Sequence, residues 1–379
     1  MRILHVTKKY PNALGGDSIG TMNLEKQLEK LGHEVFILTT NCAEIIDKPN
    51  VMKFGLEDHT QNWDTVTFKR LFSSLILFFL SFGIIKKIKP DVVHSHTADL
   101  GFILSFACKL NKIPIINHCH GVSFPYKQNT SAKRIIEKFC LKYSKFNKII
   151  TVDENSLSAF KKANIKNVIY LPNGVDIENF NKAKTKRTNK TIFLFVGRLE
   201  KQKGLVYLIE AINILKEKSS NFEVHLIGKG SEEAYLKELV SKFNFKEYIK
   251  FLGEKTYQEI TDCYINSDAF ILTSIWEGFP LTLLEAWAAR LAVIITNVGG
   301  ISKICTDKKN ALIIPPQSPE KIAEVMLVLI ENKKLREQLG ENGRKLVEEK
   351  YSWENTAKEF ISIYKNLIIP KVSKSTTRG

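Results

Sequence analysis

Short runs of β-branched and aliphatic residues alternate with longer stretches of helical period along almost the whole chain. Residues 2–6 read as a strand, 20–31 as a helix and 34–39 as a strand again. Strand patterns at 91–94, 113–117, 148–152 and 168–171 continue the series, with apolar helices between several of them. A polar, aperiodic segment follows at 181–190, and then the pattern restarts. It gives strand 192–196, helix 205–216, strand 223–227, helix 232–243, and strands 249–252, 269–272 and 292–296. Strands that are apolar at nearly every position must be covered on both faces, and alternation with helices makes their sheets parallel. The predicted fold class is therefore α/β, with two Rossmann-like domains whose parallel sheets face an interdomain cleft. The expected boundaries are 1–180 for the first domain, 181–190 for a linker and 191–350 for the second. Residues 351–369 form a last helix expected to pack back on the first domain, and 370–379 a tail expected to be disordered.

The length of 379 residues agrees with two domains at ~150 residues each. The composition, 44% hydrophobic and 25% charged, excludes disordered and fibrous classes. Six dispersed cysteines without a Cys-x-x-Cys pair argue against a disulfide framework or zinc knuckle and for a reducing cytosol. The N-terminal run is too short for a signal peptide. The longest uncharged run, 71–85, falls short of the roughly 20 residues a bilayer needs, so it predicts a buried or interfacial helix. A net charge of +16 implies an acidic partner: nucleic acid, anionic lipid or a phosphorylated ligand.

Three stretches carry chemistry. In the first, Glu277-Gly278-Phe279-Pro280-Leu281 follows a strand and opens a helix. Pro280 suits the first helical position, and free amides near Gly278 to Leu281 would present the positive dipole end to an anion. Glu285 lies inside that helix among leucines, alanines and Trp287, where a carboxylate needs a hydroxyl partner such as a ribose. In the second, Gly197-Arg198 and Lys203-Gly204 follow the first strand of the second domain. A rigid guanidinium fork and a point charge at the carboxyl end of a strand suit a diphosphate. The third, Gly15-Gly16-Asp17, lets a backbone approach a ligand between the first strand and first helix. It is not Gly-x-Gly-x-x-Gly, and no P-loop is present, which speaks against NAD and ATPase readings.

The order and spacing of these motifs resembles family-4 glycosyltransferases, the retaining, nucleotide-sugar-dependent class of GT-B fold, over roughly residues 1–365. Further matches are Gly32-His-Glu-Val35, Pro90-Asp-Val-Val-His94, His120-Gly121 and Pro172-Asn-Gly-Val-Asp176. In the second half they are Gly228-x-Gly230, Ser267-Asp268, Glu277-x7-Glu285, Val298-Gly-Gly300 and Tyr351-Ser-Trp-Glu354. The resemblance implies that Arg198 and Lys203 hold the donor diphosphate, with Gly15, Gly16, Gly197, Gly228 and residues 278–281 around the donor. It implies that Glu285 holds the ribose, that Glu277 touches the transferred sugar, and that His120 lies beside the reacting carbon. Three positions depart from the pattern: Ala289-Arg290-Leu291-Ala292 replaces Cys-Gly-x-Pro, Lys303 replaces an acid, and Gly228-Lys229-Gly230 replaces Gly-Asp-Gly. Pro280 is shared with capsule- and glycan-building members, which points to cell-surface polysaccharide synthesis; the expected donor is a UDP sugar.

No metal or other cofactor is expected, the nucleotide sugar being a co-substrate. No Asp-x-Asp triplet occurs, and His118-Cys119-His120 offers no third and fourth ligand in sequence. Alternating residues at this strand end are expected to point to opposite faces. His94 and His96 are expected to position a loop. Aromatics are not interleaved with the basic residues, so nucleic acid is not an expected partner. Between Lys127 and Lys166, ten basic residues face three acidic ones, and Arg134, Lys138, Lys142 and Lys145 form one helical stripe with Ile135, Ile136, Phe139 and Tyr143 on other faces. With 71–85 and the lysines after it, this suggests an anionic membrane surface and a lipid-linked or glycan acceptor. The expected location is cytoplasmic, peripheral on the inner face of the plasma membrane. Two other readings share these features: a nucleotide-sugar epimerase, or an idle membrane-associated nucleotide-sugar-binding module.

Overall fold

The computed structural model describes residues 1–8, 10, 16–40, 48–55, 68–120, 132–154, 156–185 and 189–368. Its elements begin with β1 (Arg2–Thr7), α1 (Gly16–Lys30), β2 (Glu34–Thr40), β3 (Val51–Phe54), α2 (Phe68–Ile88), β4 (Val92–Ser95) and α3 (Ala98–Leu110). β5 (Ile115–Cys119), α4 (Ala132–Tyr143), β6 (Lys148–Thr151), α5 (Ser156–Lys162) and β7 (Val168–Tyr170) follow. The second series runs β8 (Thr191–Val196), α6 (Leu205–Leu215), β9 (Phe222–Ile227), α7 (Glu233–Lys242), β10 (Ile249–Gly253), α8 (Tyr257–Ile265) and β11 (Ala269–Leu272). It closes with α9 (Leu281–Ala288), β12 (Ala292–Thr296), α10 (Ile301–Ile304), β13 (Leu312–Ile314), α11 (Pro319–Glu331), α12 (Lys333–Lys350) and α13 (Trp353–Ile368).

The chain divides into two compact units, Met1–Asn173 with Trp353–Gly379, and Gly174–Ser352. The first holds a parallel sheet of order β3-β2-β1-β4-β5-β6-β7, and the second one of order β10-β9-β8-β11-β12-β13. In each, the strand order reverses beside the first strand of the unit, between β1 and β4 and between β8 and β11. Loops leaving two neighbouring strands in opposite directions open a crevice at their carboxyl ends, which is where open α/β sheets bind ligands. Two edge strands, β3 and β13, are absent from the pattern read along the sequence. They are four and three residues long, and β3 is only partly buried, so neither shows a full apolar run.

The boundary between units lies at Asn173/Gly174, not at 181–190. Phe180 is buried in the core of the second unit, and Val175 N–H donates to Tyr351 O there. The polar segment is held against the same unit: Lys184 pairs with Asp268, and Thr185 N–H donates to Asn266. Its composition reflects exposure, not a join. α13 belongs to the first unit because Trp353, Thr356, Ala357, Phe360 and Tyr364 recur at helical spacing and are buried. Burial of each of its large aromatic side chains contributes roughly 2 kcal/mol or more.

Candidate active site

In the second unit the loops after β8, β9, β11 and β12 converge. Leu199 N–H donates to Lys229 O, joining the first two. Ile275 N–H donates to Gln202 O and Gln202 Nε2 to Trp276 O, joining the first and third. Two glycines make this closeness possible. Gly228 has φ 128°, and a Cβ there would lie 2.0 Å from Gly197 O. Gly299 has φ 57°, and a Cβ there would lie 1.9 Å from Glu277 O. A side chain at either would force the adjoining loops apart, and at Gly299 it would move Glu277.

Lys203 ends a 3-10 turn, Lys201–Lys203, after β8. Its ammonium lies 2.5 Å from Glu277 Oε1, and Ser274 Oγ donates to the same oxygen at 2.5 Å. Both partners are largely buried, so the pair is poorly screened. The structure thus joins two residues to which the resemblance assigns separate ligand roles. A lysine carries three N–H donors, and Glu277 Oε1 takes one, leaving donor capacity for phosphate. Arg198 is exposed at the turn after β8, two residues past the strand end.

Glu285 is buried in α9, where the Tyr264 phenol Oη donates to its Oε2 at 3.0 Å. Burial pushes the Glu285 carboxyl up to about 7, and the Tyr264 hydrogen bond opposes this only in part. Tyr264 is set by α8, whose start is fixed by a capping box between Thr256 and Glu259. Tyr264 had no mark in the sequence beyond its helical period with Tyr257. Pro280 is the N-cap of α9, with ψ 110°, one residue before the first helical position expected for it. At the other end Arg290 has φ 58°, the left-handed conformation that favours glycine, and its guanidinium pairs with Glu341 at 2.7 Å.

In the first unit α1 begins at Gly16, four residues ahead of the expected helix, and Gly15 lies outside the described residues. His120 follows β5 and packs on Gly20, where a Cβ would lie 3.4 Å from its ring. The expectation for His118 and His120 is corrected. Two residues apart, they share a face, and their ring centroids are 4.1 Å apart. His94 is buried in β4 and His96 just past its end, with His5 of β1 beside them. His96 Nε2 is 3.0 Å from His5 Nδ1, and His96 Nδ1 is 3.0 Å from His120 Nε2. Burial holds His5 at about 3; burial, then neighbouring imidazoles, hold His94, His96 and His118 well below the usual histidine range.

The same unit presents a mixed apolar and basic surface. α2, α3 and α4 pack side by side, with Phe78 against Phe106 and Phe102 against Phe139. Phe79 and Ile135 are 67% and 69% exposed, and Phe106, Phe139 and Tyr143 are exposed too. Phe79 of α2 thus faces solvent, and on α4 the apolar side chains share the solvent face with Lys138 and Lys142, while Cys140 and Leu141 face inward. Among the described residues no helix is long and apolar enough to cross a membrane.

Comparison with known proteins agrees with this architecture. Residues 14–179 match the family model Glycosyltransferase Family 4, and residues 176–346 match Glycosyl transferases group 1. An uncharacterised glycosyltransferase of Methanocaldococcus jannaschii is 29% identical, over 96% of this chain and 98% of that one. The UDP-Gal:alpha-D-GlcNAc-diphosphoundecaprenol alpha-1,3-galactosyltransferase of Escherichia coli is 30% identical over 58% of this chain and 61% of its own. Among solved structures, HepE of Anabaena in complex with UDP superposes with a TM-score of 0.75 at 16% identity, covering 97% of this chain and 100% of that one. Two parallel α/β units of this kind define a GT-B glycosyltransferase. The chain belongs to glycosyltransferase family 4.

Proposed function

We propose that this enzyme moves a sugar, with retention at the anomeric carbon, from a UDP sugar to a hydroxyl of a lipid-linked glycan acceptor during cell-surface polysaccharide synthesis. The observation that carries the donor half is the Lys203–Glu277 pair at the switch point of the second sheet, with Arg198 on the same loop after β8. A leaving diphosphate gathers negative charge as the bond from C1 to the phosphate oxygen breaks. Arg198, the free donors of Lys203 and the start of α9 stabilise that charge, the class of effect that contributes most in such transfers. The acceptor hydroxyl oxygen bonds C1 from the same face, and its proton leaves with the diphosphate. Donor binding by these cations needs no metal. Glu285 takes the ribose hydroxyls, and Glu277 turns its second oxygen to the transferred sugar. Gly228 and Gly299 keep this ring of loops narrow. For His120 the resemblance implies a place beside the reacting carbon.

The lipid-linked acceptor is supported by the diphosphoundecaprenol substrate for which the Escherichia coli relative is named and by the apolar and basic surface of α2, α3 and α4. Exposed aromatics beside lysines suit the interface of an anionic membrane, where the enzyme would act from the cytoplasmic face. The test offers a panel of UDP sugars with polyprenyl-diphosphate glycans in anionic vesicles and follows radiolabelled sugar into lipid. Transfer from one UDP sugar, reduced roughly 30- to 1,000-fold in Arg198→Ala, is expected for the loss of about 2–4 kcal/mol of phosphate stabilisation. Transfer that is unaffected in Arg198→Ala overturns the donor assignment, and transfer only to water-soluble acceptors overturns the lipid.

A further inference from the structure

Five of the chain's eight histidines meet in the first unit: His5 of β1, His94 and His96 at β4, and His118 and His120 at β5. They gather because β1, β4 and β5 are adjacent parallel strands and the residues recur at period two on one sheet face. Register places His5 opposite His94, and Phe360 and Tyr364 of α13 close over the cluster. Hydrogen bonds within the unit do not account for it. Both ring nitrogens of His118 are buried without a partner, as are Nε2 of His5 and Nε2 of His94. Each such buried polar atom costs about 1–3 kcal/mol, and nothing in the donor chemistry uses them.

We propose that His96, His118 and His120 bind a divalent transition-metal ion of the zinc class. Their ligand nitrogens lie within 4.8 Å of one another, and the His96 Nδ1 to His120 Nε2 separation is 3.0 Å. Three imidazoles on a tetrahedral zinc, each at 2.0–2.1 Å, have nitrogens about 3.4 Å apart, so modest ring rotations complete the site. His96 ligates through Nδ1 because its Nε2 faces His5 Nδ1. That second contact is the support which ligating histidines commonly receive, and it fixes the tautomer of His96. His94 is held in turn by the Tyr364 hydroxyl at 2.6 Å. The inner group of His5, His94 and His96 is a poorer site, since all three are fully buried and offer no path for a doubly charged ion. His120 is only partly buried, which gives the outer site an entrance and a fourth position open to water or an anion. Neutral nitrogen ligands select zinc, nickel or copper and not magnesium or calcium, which take oxygen.

This inference goes beyond the transfer reading and leaves its diphosphate cations untouched, since they belong to the other unit, but it gives His120 to the metal in place of the reacting carbon. The test uses the untagged full chain, stripped by a strong chelator, dialysed, and titrated with Zn2+ against a competing indicator, with bound metal counted by mass spectrometry. One equivalent of zinc per chain is expected, and bound Co2+ should show the visible absorption of a tetrahedral site. His118→Asn and His120→Asn should each weaken zinc binding more than about 100-fold, exceeding the loss typical when a residue supporting a ligand from behind is changed. His225→Asn, in the second unit, should leave it unchanged. Circular dichroism and a UDP thermal shift establish that each variant is folded, and His120→Asn, at the partly exposed position, serves if His118→Asn does not fold. The proposal is overturned if the chain takes up no stoichiometric zinc, or if folded cluster variants bind it as tightly as His225→Asn.

Discussion

Replacing Glu277 by Gln separates the two tasks that the Lys203–Glu277 contact combines. In the unliganded enzyme the carboxylate balances an ammonium that keeps only 15% of its side-chain surface in water. Breaking a fully buried pair by removing one partner costs about 3–5 kcal/mol. Gln retains an acceptor for both Lys203 and Ser274, and the residual exposure of Lys203 admits water, so about 2 kcal/mol is the appropriate figure. For a unit of this size that lowers Tm by about 4–8 °C. The freed ammonium then favours a diphosphate as its counter-charge, so UDP affinity should be preserved or increased while turnover falls. Lys203→Met should behave in the opposite way, losing a charge-assisted contact of about 1.5–3 kcal/mol and hence roughly 10- to 150-fold in UDP affinity. Differential scanning fluorimetry with and without UDP, together with isothermal titration, measures both quantities. Equal loss of UDP affinity in the two variants, or a Glu277→Gln Tm within a degree of the parent, refutes the division of tasks.

Glu285 makes stability depend on pH. With its carboxyl at about 7 in the fold and near 4.5 when unfolded, the folded unit holds the extra proton between those values. Stability of the unliganded enzyme should therefore fall as pH rises through that window, by up to about 3 kcal/mol. Glu285→Gln should remove this component, and urea melts of both proteins at pH 5 and pH 8 check it; an identical pH response in the two would contradict the assignment. Reversing Arg134, Lys138, Lys142 and Lys145 to Glu should abolish sedimentation with anionic vesicles, at about 1 kcal/mol per basic residue near the surface. Phe79→Ser should weaken the binding that survives high salt, and vesicle binding unchanged in both variants would make the charge a solvated face.

Much of this protein is written locally. Apolar runs four to six residues long, broken by helices, are enough to determine parallel sheets, because strands such as Phe193–Phe195 or Ile294–Ile295 can satisfy neither face in water. The strand-end positions of Arg198, Lys203 and Glu277 follow from the same pattern, since loops at carboxyl ends are where side chains of different elements can meet. What the sequence could not determine depends on separations of many residues. The Lys203–Glu277 pair spans 74 positions and exists because β8 and β11 are neighbours in the sheet. The buried partner of Glu285 comes from another helix, 21 residues away. The histidines reveal themselves only when strand order brings β1, β4 and β5 together; in sequence they are one single residue and two pairs. Membership of α13 in the first unit is likewise decided by where Trp353, Phe360 and Tyr364 find an apolar surface, a choice that helical period permits but cannot direct. Local periodicity sets which face of an element must be buried, while strand order sets what it is buried against.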